Sequence, residues 1–237
     1  MSFSTLVCDA QFAWASTVRF DADYAPLNLP ARYLLVMGAG LFGDVLGFPM
    51  CDARGQVIGV RLRRDDGAKY CIPGSQNGLF VPRFATGDDE QIYVVEGPTD
   101  CAALLSIGMT AIGRPSNSVG NEMLFDYLLR CRREIVLFRD RDTKQAAKAA
   151  TINFARELAV GLALCKESVK VISPPRGIKD ARDWVAAGAT ANAVRCLAKN
   201  AKRVALETIT FAEMRWFAPS QWIWQRWIDR RLMNVAE

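Results

Sequence analysis

The pattern of hydrophobic and polar residues divides the chain near residue 90. After that point, short apolar runs alternate with segments whose apolar residues recur at helical spacing. The runs predict strands at Ile92–Val95, Ile135–Phe138 and Val169–Ile172. The helical spacing predicts helices at Thr99–Ile107, Asn121–Cys131 and Thr143–Leu162. Because strands that alternate with helices indicate βαβ crossovers, we expect an α/β parallel sheet flanked by helices.

The chain before residue 90 has the pattern of a β-hairpin. Gln56–Arg64 alternates apolar and basic residues, and turn residues at 65–67 separate it from a second extended stretch at 68–72. On such a strand Arg61 and Arg63 share one face, and Val60 and Leu62 share the other. The basic face is either simply solvated, which the spacing alone favours, or presents two guanidinium groups to a ligand.

Loop and linker residues set the expected domain boundaries. Pro82–Glu90 contains Pro, Gly and an acidic cluster, which predicts a linker or exposed loop. We therefore expect a smaller α+β N-terminal subdomain over residues 1–86, a parallel-sheet domain over residues 91–187 and a helical tail over residues 188–237. Four of the six tryptophans lie within residues 216–237 at helical spacing with arginines alongside. Such a stripe predicts either a helix packed on its own domain or an exposed helix that binds a partner or stacks single-stranded bases.

Composition excludes several classes of protein. A chain of 237 residues with 51% hydrophobic residues can bury a sizeable core without disulfides or a structural metal. No apolar run reaches the roughly 18 residues of a membrane span, and the first residues lack a signal peptide pattern, so we expect a soluble cytoplasmic protein. The sequence has no histidine and no Cys-x-x-Cys pair, which excludes a zinc module and His-dependent catalysis. The net charge of +5 is compatible with a nucleic-acid partner.

Acidic residues follow each predicted strand of the second half. They are Glu96 and Asp100 after the first strand, Asp140 and Asp142 after the second, and Asp180 and Asp183 after the third. Taken singly, Asp100 and Asp183 could be acids in the first turn of a helix, and Asp140 and Asp142 could belong to a polar loop between a strand and a helix. Parallel strands bring their carboxyl ends to one edge, so together these carboxylates would converge and repel one another. A hard divalent cation, most naturally Mg²⁺, would hold them ionised.

These segments resemble the Toprim domain that DnaG-type primases, topoisomerases and some nucleases share. The resemblance covers residues 91 to about 187 and rests on E-G-P-T-D at 96–100, D-R-D at 140–142 and K-D at 179–180. It implies that Glu96 is the glutamate of the family and that Asp140, Asp142 and Asp180 belong to its metal-binding cluster. Asp100 matches the second acid of the first motif. Asp100 and Lys179 are therefore the candidate residues of this domain for binding a nucleotide or DNA.

A shorter resemblance covers the hairpin region. The segments at 59–63, 67–70 and 74–80 look like the basic region that precedes Toprim in phage-type primase-helicases. This implies that Arg61, Arg63 and Lys69 contact nucleotide phosphates. The sequence departs from those proteins in having neither a Cys-rich zinc module nor a G-x-x-x-x-G-K-[ST] phosphate-binding loop. Template selection and unwinding would then depend on other proteins.

The resemblance implies a DNA primase core of a mobile element. Such a core would join ribonucleoside triphosphates into short RNA primers on single-stranded DNA, with Glu96, Asp140 and Asp142 as catalytic residues. Mg²⁺ or Mn²⁺ would be held by the same three residues and Asp180. A replicative helicase or another replication protein would bind the Trp-rich tail. The alternatives are a metal-dependent Toprim nuclease, and a non-catalytic DNA-binding adaptor of replication.

Overall fold

The structure, a computed structural model, describes nine ranges of the chain. They are residues 27–42, 45–83, 90–116, 120–131, 133–141, 149, 151–156, 158–159 and 169–204. Asp142, the predicted linker residues 84–89 and the Trp-rich part of the tail lie outside them, so the expectations for those residues stay predictions. Within these ranges, no helix has the length and apolar character needed to cross a membrane.

The described residues of the N-terminal part form a short helix followed by an antiparallel sheet. The helix is α1 (Ala31–Val36), and the strands follow the order β1 (Gly40–Phe42), β2 (Val45–Cys51), β3 (Val57–Arg63) and β4 (Lys69–Cys71). The predicted hairpin is confirmed as β3 and β4, with Arg63 opposite Lys69. The sequence pattern does not predict β2, because Gly47 and Pro49 interrupt its apolar run. In the fold β2 lies between β1 and β3 and is buried along almost its whole length.

The second half forms the predicted parallel sheet. Its strands are β5 (Gln91–Glu96), β6 (Ala111–Arg114), β7 (Glu134–Phe138) and β8 (Val169–Ile172), in the spatial order β6-β5-β7-β8. All three strand pairings are parallel. The helices between and after them are α2 (Pro98–Ser106), α3 (Asn121–Cys131), α4 (Ala181–Ala186) and α5 (Ala191–Asn200). Residues 151–156, inside the predicted Ala-rich helix, are also helical. The fold class is confirmed as a parallel sheet with helices, preceded by a smaller antiparallel sheet.

Alternate residues of the central strands face two separate cores, as expected for a sheet that is covered on both sides. Tyr93 and Val95 of β5 pack in one core with α2 and α5. Ile92 and Val94 pack in the other with α3 and the helical residues 151–156. This burial on both faces explains the continuous hydrophobic runs Ile92–Val95 of β5 and Ile135–Phe138 of β7 in the sequence.

A two-residue connection joins the antiparallel and parallel sheets. Leu79 exchanges backbone hydrogen bonds with Cys51 of β2, both at 2.7 Å, and Phe80 exchanges them with Gly113 of β6, at 2.8 and 3.0 Å. Gly113 must lack a side chain, because a Cβ there would lie 2.6 Å from the carbonyl oxygen of Gly97. The connection therefore holds the basic hairpin beside the carboxyl ends of β5 and β6.

Candidate active site

A cleft of ≈ 150 Å³ lies where the hairpin meets the carboxyl edge of the parallel sheet. Its basic wall carries Arg61 and Arg63 of β3 and Lys69 of β4. The opposite wall includes Glu96 and the turn that leads into α2. Gly97 makes this turn with a φ of 90°, a value that glycine adopts without strain, and Pro98 then begins the helix. The walls of the cleft thus carry opposite charges.

Arg61 is held in place by the residues around it. Its Nη2 donates to Asn77 Oδ1 at 3.0 Å and its Nε to Cys71 Sγ at 3.2 Å. The guanidinium also lies 6.0 Å from the centre of the Phe80 ring. Arg61 and Arg63 are half-buried and line the cleft, so the interpretation of a simply solvated face does not describe them. An arginine that is already ordered loses less conformational entropy when it binds a phosphate.

The predicted basic residues come together around Lys69. Partial burial lowers the pKa of Lys69, and the nearby Arg63, Lys179 and Arg61 lower it further, whereas Asp100 raises it. Lys179 comes from the loop after β8, so the hairpin and the parallel-sheet domain both contribute to this cluster. Several cations held close together repel one another, and an anion would relieve that repulsion. The cluster is therefore suited to binding phosphate groups.

Glu96 pairs with an arginine that the sequence analysis did not identify. Arg114 ends β6 directly beside Glu96 in the parallel register, and its Nη2 donates to Glu96 Oε1 at 3.0 Å. The side chain of Arg114 is 1% exposed and that of Glu96 is 21% exposed. Burial lowers the pKa of Arg114, and the charges of Glu96 and Asp140 oppose that shift. Arg114 remains a cation, because the guanidinium pKa starts far above neutrality.

Asp100 and Asp180 converge as predicted, and each also binds the start of α4. Asp100 Oδ1 accepts from the backbone N–H of Arg182 at 3.0 Å, and Asp180 Oδ1 accepts from that of Asp183 at 2.8 Å. Burial raises the pKa of Asp100 to about 7, and the charge of Asp180 adds to the shift. Asp100 thus lies in the first turn of a helix and also converges with Asp180, while the role of Asp180 as the N-cap of α4 is a finding of the structure.

Asp140 lies at the end of β7 and is half-buried. Its effect on the pKa of Arg114 shows that it lies close to the Glu96–Arg114 pair. Asp142, the other acid of this motif, lies outside the described residues. Among the residues that are described, no three acidic or cysteine side chains form a group that could hold a metal ion. The chemistry of the donors nevertheless fits Mg²⁺ or Mn²⁺, because the converging side chains are carboxylates and Asp100 and Asp180 already repel each other.

Comparison with known proteins identifies the fold. No protein-family profile matches the chain, and no curated protein sequence matches it. The RNA polymerase domain of Mycobacterium tuberculosis primase DnaG is 20% identical, with a TM-score of 0.61 over 98% of this chain and 99% of that one. The Escherichia coli primase catalytic core is 17% identical, with a TM-score of 0.58 over 76% of this chain and 72% of that one. A DnaG primase catalytic domain bound to single-stranded DNA is 17% identical, with a TM-score of 0.59 over 76% and 70%. The resemblance noted in the sequence is thus confirmed in three dimensions: the chain has the fold of the catalytic core of DnaG-type primases.

Proposed function

We propose that this protein is a DNA primase core, which synthesises short RNA primers on single-stranded DNA by metal-assisted nucleotidyl transfer. The observation that carries the proposal is the cleft itself, where Arg61, Arg63 and Lys69 line the same space as Glu96 at the end of β5 within a primase-core fold. In this proposal, residues 91–187 form the Toprim-type catalytic unit and residues 1–86 form the basic subdomain.

The basic wall would bind the phosphates of the nucleotide or of the template. Arg61 is oriented by Asn77 and Cys71 before any ligand arrives. Arg63 and Lys69 lie opposite each other on β3 and β4, so the two cations flank the same part of the cleft. Arginine binds phosphate through two parallel hydrogen bonds, and lysine adds a point charge. A neighbour of the same fold that is bound to single-stranded DNA supports DNA as the partner.

The acidic edge would carry the chemistry. We assign Asp140, Asp142 and Asp180 as the residues that hold Mg²⁺ or Mn²⁺, with Glu96 as a base or a further ligand. A bound divalent ion would neutralise charge on the triphosphate and make the attacking 3′-hydroxyl more acidic. Glu96 is suited to accept the hydroxyl proton, because it lies in the cleft wall and Arg114 holds it in a fixed orientation. Asp100 is too buried to contact a nucleotide directly, so we assign it the support of α4.

One assay tests this function against its alternatives. The protein is incubated with single-stranded DNA, labelled ribonucleoside triphosphates and either Mg²⁺ or Mn²⁺, and the products are resolved by length. We expect short labelled RNA chains from the wild type and none from Asp140→Asn with Asp142→Asn, because two anionic ligands are lost. The control replaces Asp65 and Asp66 with Asn on the exposed hairpin turn and should synthesise primers normally.

The other outcomes refute either primer synthesis or the assignment of its residues, and they can be told apart. Degradation of the DNA by the wild type, abolished in the Asp140 and Asp142 variant, would identify a nuclease that uses water in place of the 3′-hydroxyl. Binding of DNA without either reaction would identify an adaptor. Normal synthesis by the double variant would refute the assignment of the acidic residues.

A further inference from the structure

Arg114 combines complete burial with a position at the acidic edge. Among the buried polar and charged side chains that the structure describes, it is the only cation, in company with two threonines and two aspartates. Burying a charge without a partner is costly, so an arginine this deep requires compensating contacts. A cation is thus built into the part of the site where the carboxylates converge.

The contacts of Arg114 join two elements of the site. Its Nη2 donates to Glu96 Oε1 at 3.0 Å and lies 3.3 Å from Thr151 Oγ1. The guanidinium carbon lies 5.3 Å from the centre of the Phe154 ring, within the range of a cation–π interaction. Thr151 and Phe154 belong to the helical residues 151–156, which follow the Asp140 motif in the chain. Arg114 therefore fixes the Glu96 carboxylate against a second element of the core.

The charge of Arg114 acts on more than Glu96. Asp140 lies close enough to interact with it electrostatically, so the guanidinium offsets negative charge at the ends of both β5 and β7. A fixed cation at this place has opposing effects on the carboxylates and on metal binding. It orders the carboxylates in the absence of metal, and it repels a divalent ion that binds beside them.

We propose that Arg114 is a positioning residue of the primase site. As a fixed internal cation it orients Glu96, and it neutralises part of the negative charge that a divalent ion would otherwise neutralise. This inference rests on the proposed function. It leads to an expectation that damage to the fold would not produce: without the arginine charge, metal binding becomes tighter while catalysis becomes slower. A purely structural role predicts that metal binding and catalysis weaken together.

The test compares Arg114→Met with the wild type by two measurements. Binding of Mn²⁺, followed by electron paramagnetic resonance, needs no enzymatic activity. We expect the dissociation constant of Mn²⁺ to fall about tenfold, because one positive charge is removed from the neighbourhood of a divalent ion. In primer synthesis we expect kcat to fall at least tenfold. The KM for ribonucleotides should stay within about twofold, because Arg114 does not line the basic wall.

Two further variants separate charge from position. Arg114→Lys keeps the charge, so the Mn²⁺ affinity should return to within about twofold of the wild type while kcat recovers only in part. Arg133→Met removes a half-buried arginine whose Nη1 donates to Thr110 Oγ1 at 3.2 Å. Arg133 directly precedes β7 and therefore lies at the opposite edge of the sheet. This control should leave Mn²⁺ affinity and kcat unchanged.

A Glu96→Gln background keeps the test valid if Arg114→Met alone does not fold, because the double variant no longer leaves the Glu96 carboxylate without its ion-pair partner. Adding Arg114→Met to Glu96→Gln should again tighten Mn²⁺ binding but lower kcat by less than about twofold, since Arg114 acts through Glu96. Unchanged or weaker Mn²⁺ binding, multiplicative losses of kcat, or a wild type that does not bind Mn²⁺ would overturn the role of Arg114. A wild type that binds Mn²⁺ and makes no primers would instead refute the proposed function.

Discussion

The buried carboxyl group of Asp100 predicts an unusual dependence of stability on pH. Asp100 is 6% exposed and lies in the first turn of α2. The groups that act on it are Asp180, which raises its pKa, and Arg182 and Lys69, which lower it. Burial is the largest influence and favours the neutral acid. Replacing Asp100 with Asn should therefore remove a charge that the fold accommodates poorly near neutral pH.

The sign and size of the effect follow from the difference in pKa between the folded and unfolded chain. The pKa of Asp100 rises from 3.8 to about 7 on folding. The folded state therefore holds a proton that the unfolded state has lost, and the stabilisation is complete below pH 3.8 and disappears as the pH rises through 7. At about 1.4 kcal/mol for each pH unit, the contribution is on the order of 4 kcal/mol, of which about 3 kcal/mol is lost between pH 5 and 8.

Urea denaturation at several pH values between 5 and 8, in a metal-free buffer, measures this loss. The free energy of unfolding of the wild type should fall across that range. The Asp100→Asn variant should fall much less and be the more stable protein at pH 8, because the amide oxygen can still accept the backbone N–H of Arg182. Asp183→Asn, a matched change in the first turn of α4 with a more exposed side chain, should follow the wild type. Parallel curves for the wild type and Asp100→Asn would refute the reasoning.

Two further predictions concern the basic wall and the junction of the sheets. Replacing Arg61 and Arg63 with alanine should weaken binding of single-stranded DNA and reduce the slope of log K against log salt by about 0.7 for each lost contact. The control Arg64→Ala should leave the slope unchanged, because the Arg64 side chain is exposed and pairs with Asp66. An unchanged slope in the Arg61 and Arg63 variant would show that neither arginine binds DNA. Gly113→Ala should lower the free energy of unfolding by about 1–3 kcal/mol in urea melts, because its Cβ would lie 2.6 Å from a backbone oxygen. Gly47→Ala, whose closest contact is a leucine methyl at 3.2 Å, should cost less, and equal losses would contradict the close approach.

The strands whose apolar runs are clearest in the sequence are those covered on both faces. Ile92–Val95 of β5 and Ile135–Phe138 of β7 are covered on both faces, so each of these positions is hydrophobic and the run is visible without knowledge of its neighbours. β6 has only four residues, one of them Gly113 and one Arg114, and its strand conformation depends on pairing with β5 and Phe80. β2 likewise depends on its neighbours, because Gly47 and Pro49 are poor strand residues in isolation.

The candidate site was predictable to the extent that its residues follow strands. Glu96, Asp140 and Asp180 could be placed at one edge because parallel strands share the direction of their carboxyl ends. Arg114 could not, because it follows a run too short to be recognised as a strand, and only the register of β6 on β5 places it beside Glu96. The burial of Asp100 was also not predictable, because it results from the packing of α2 against α4.

The acids of this site show that local and long-range roles need not be alternatives. A short helix such as α4 leaves backbone N–H groups unpaired at its start, and here two acids from different elements accept them. Asp180 precedes α4 in the chain, whereas Asp100 belongs to α2, which follows the end of β5. Capping α4 therefore ties the loop after β8, with Lys179, to the end of β5, with Glu96. The same hydrogen bonds that stabilise the helix hold Lys179 near the acidic strand ends, so this part of the site forms as the fold forms.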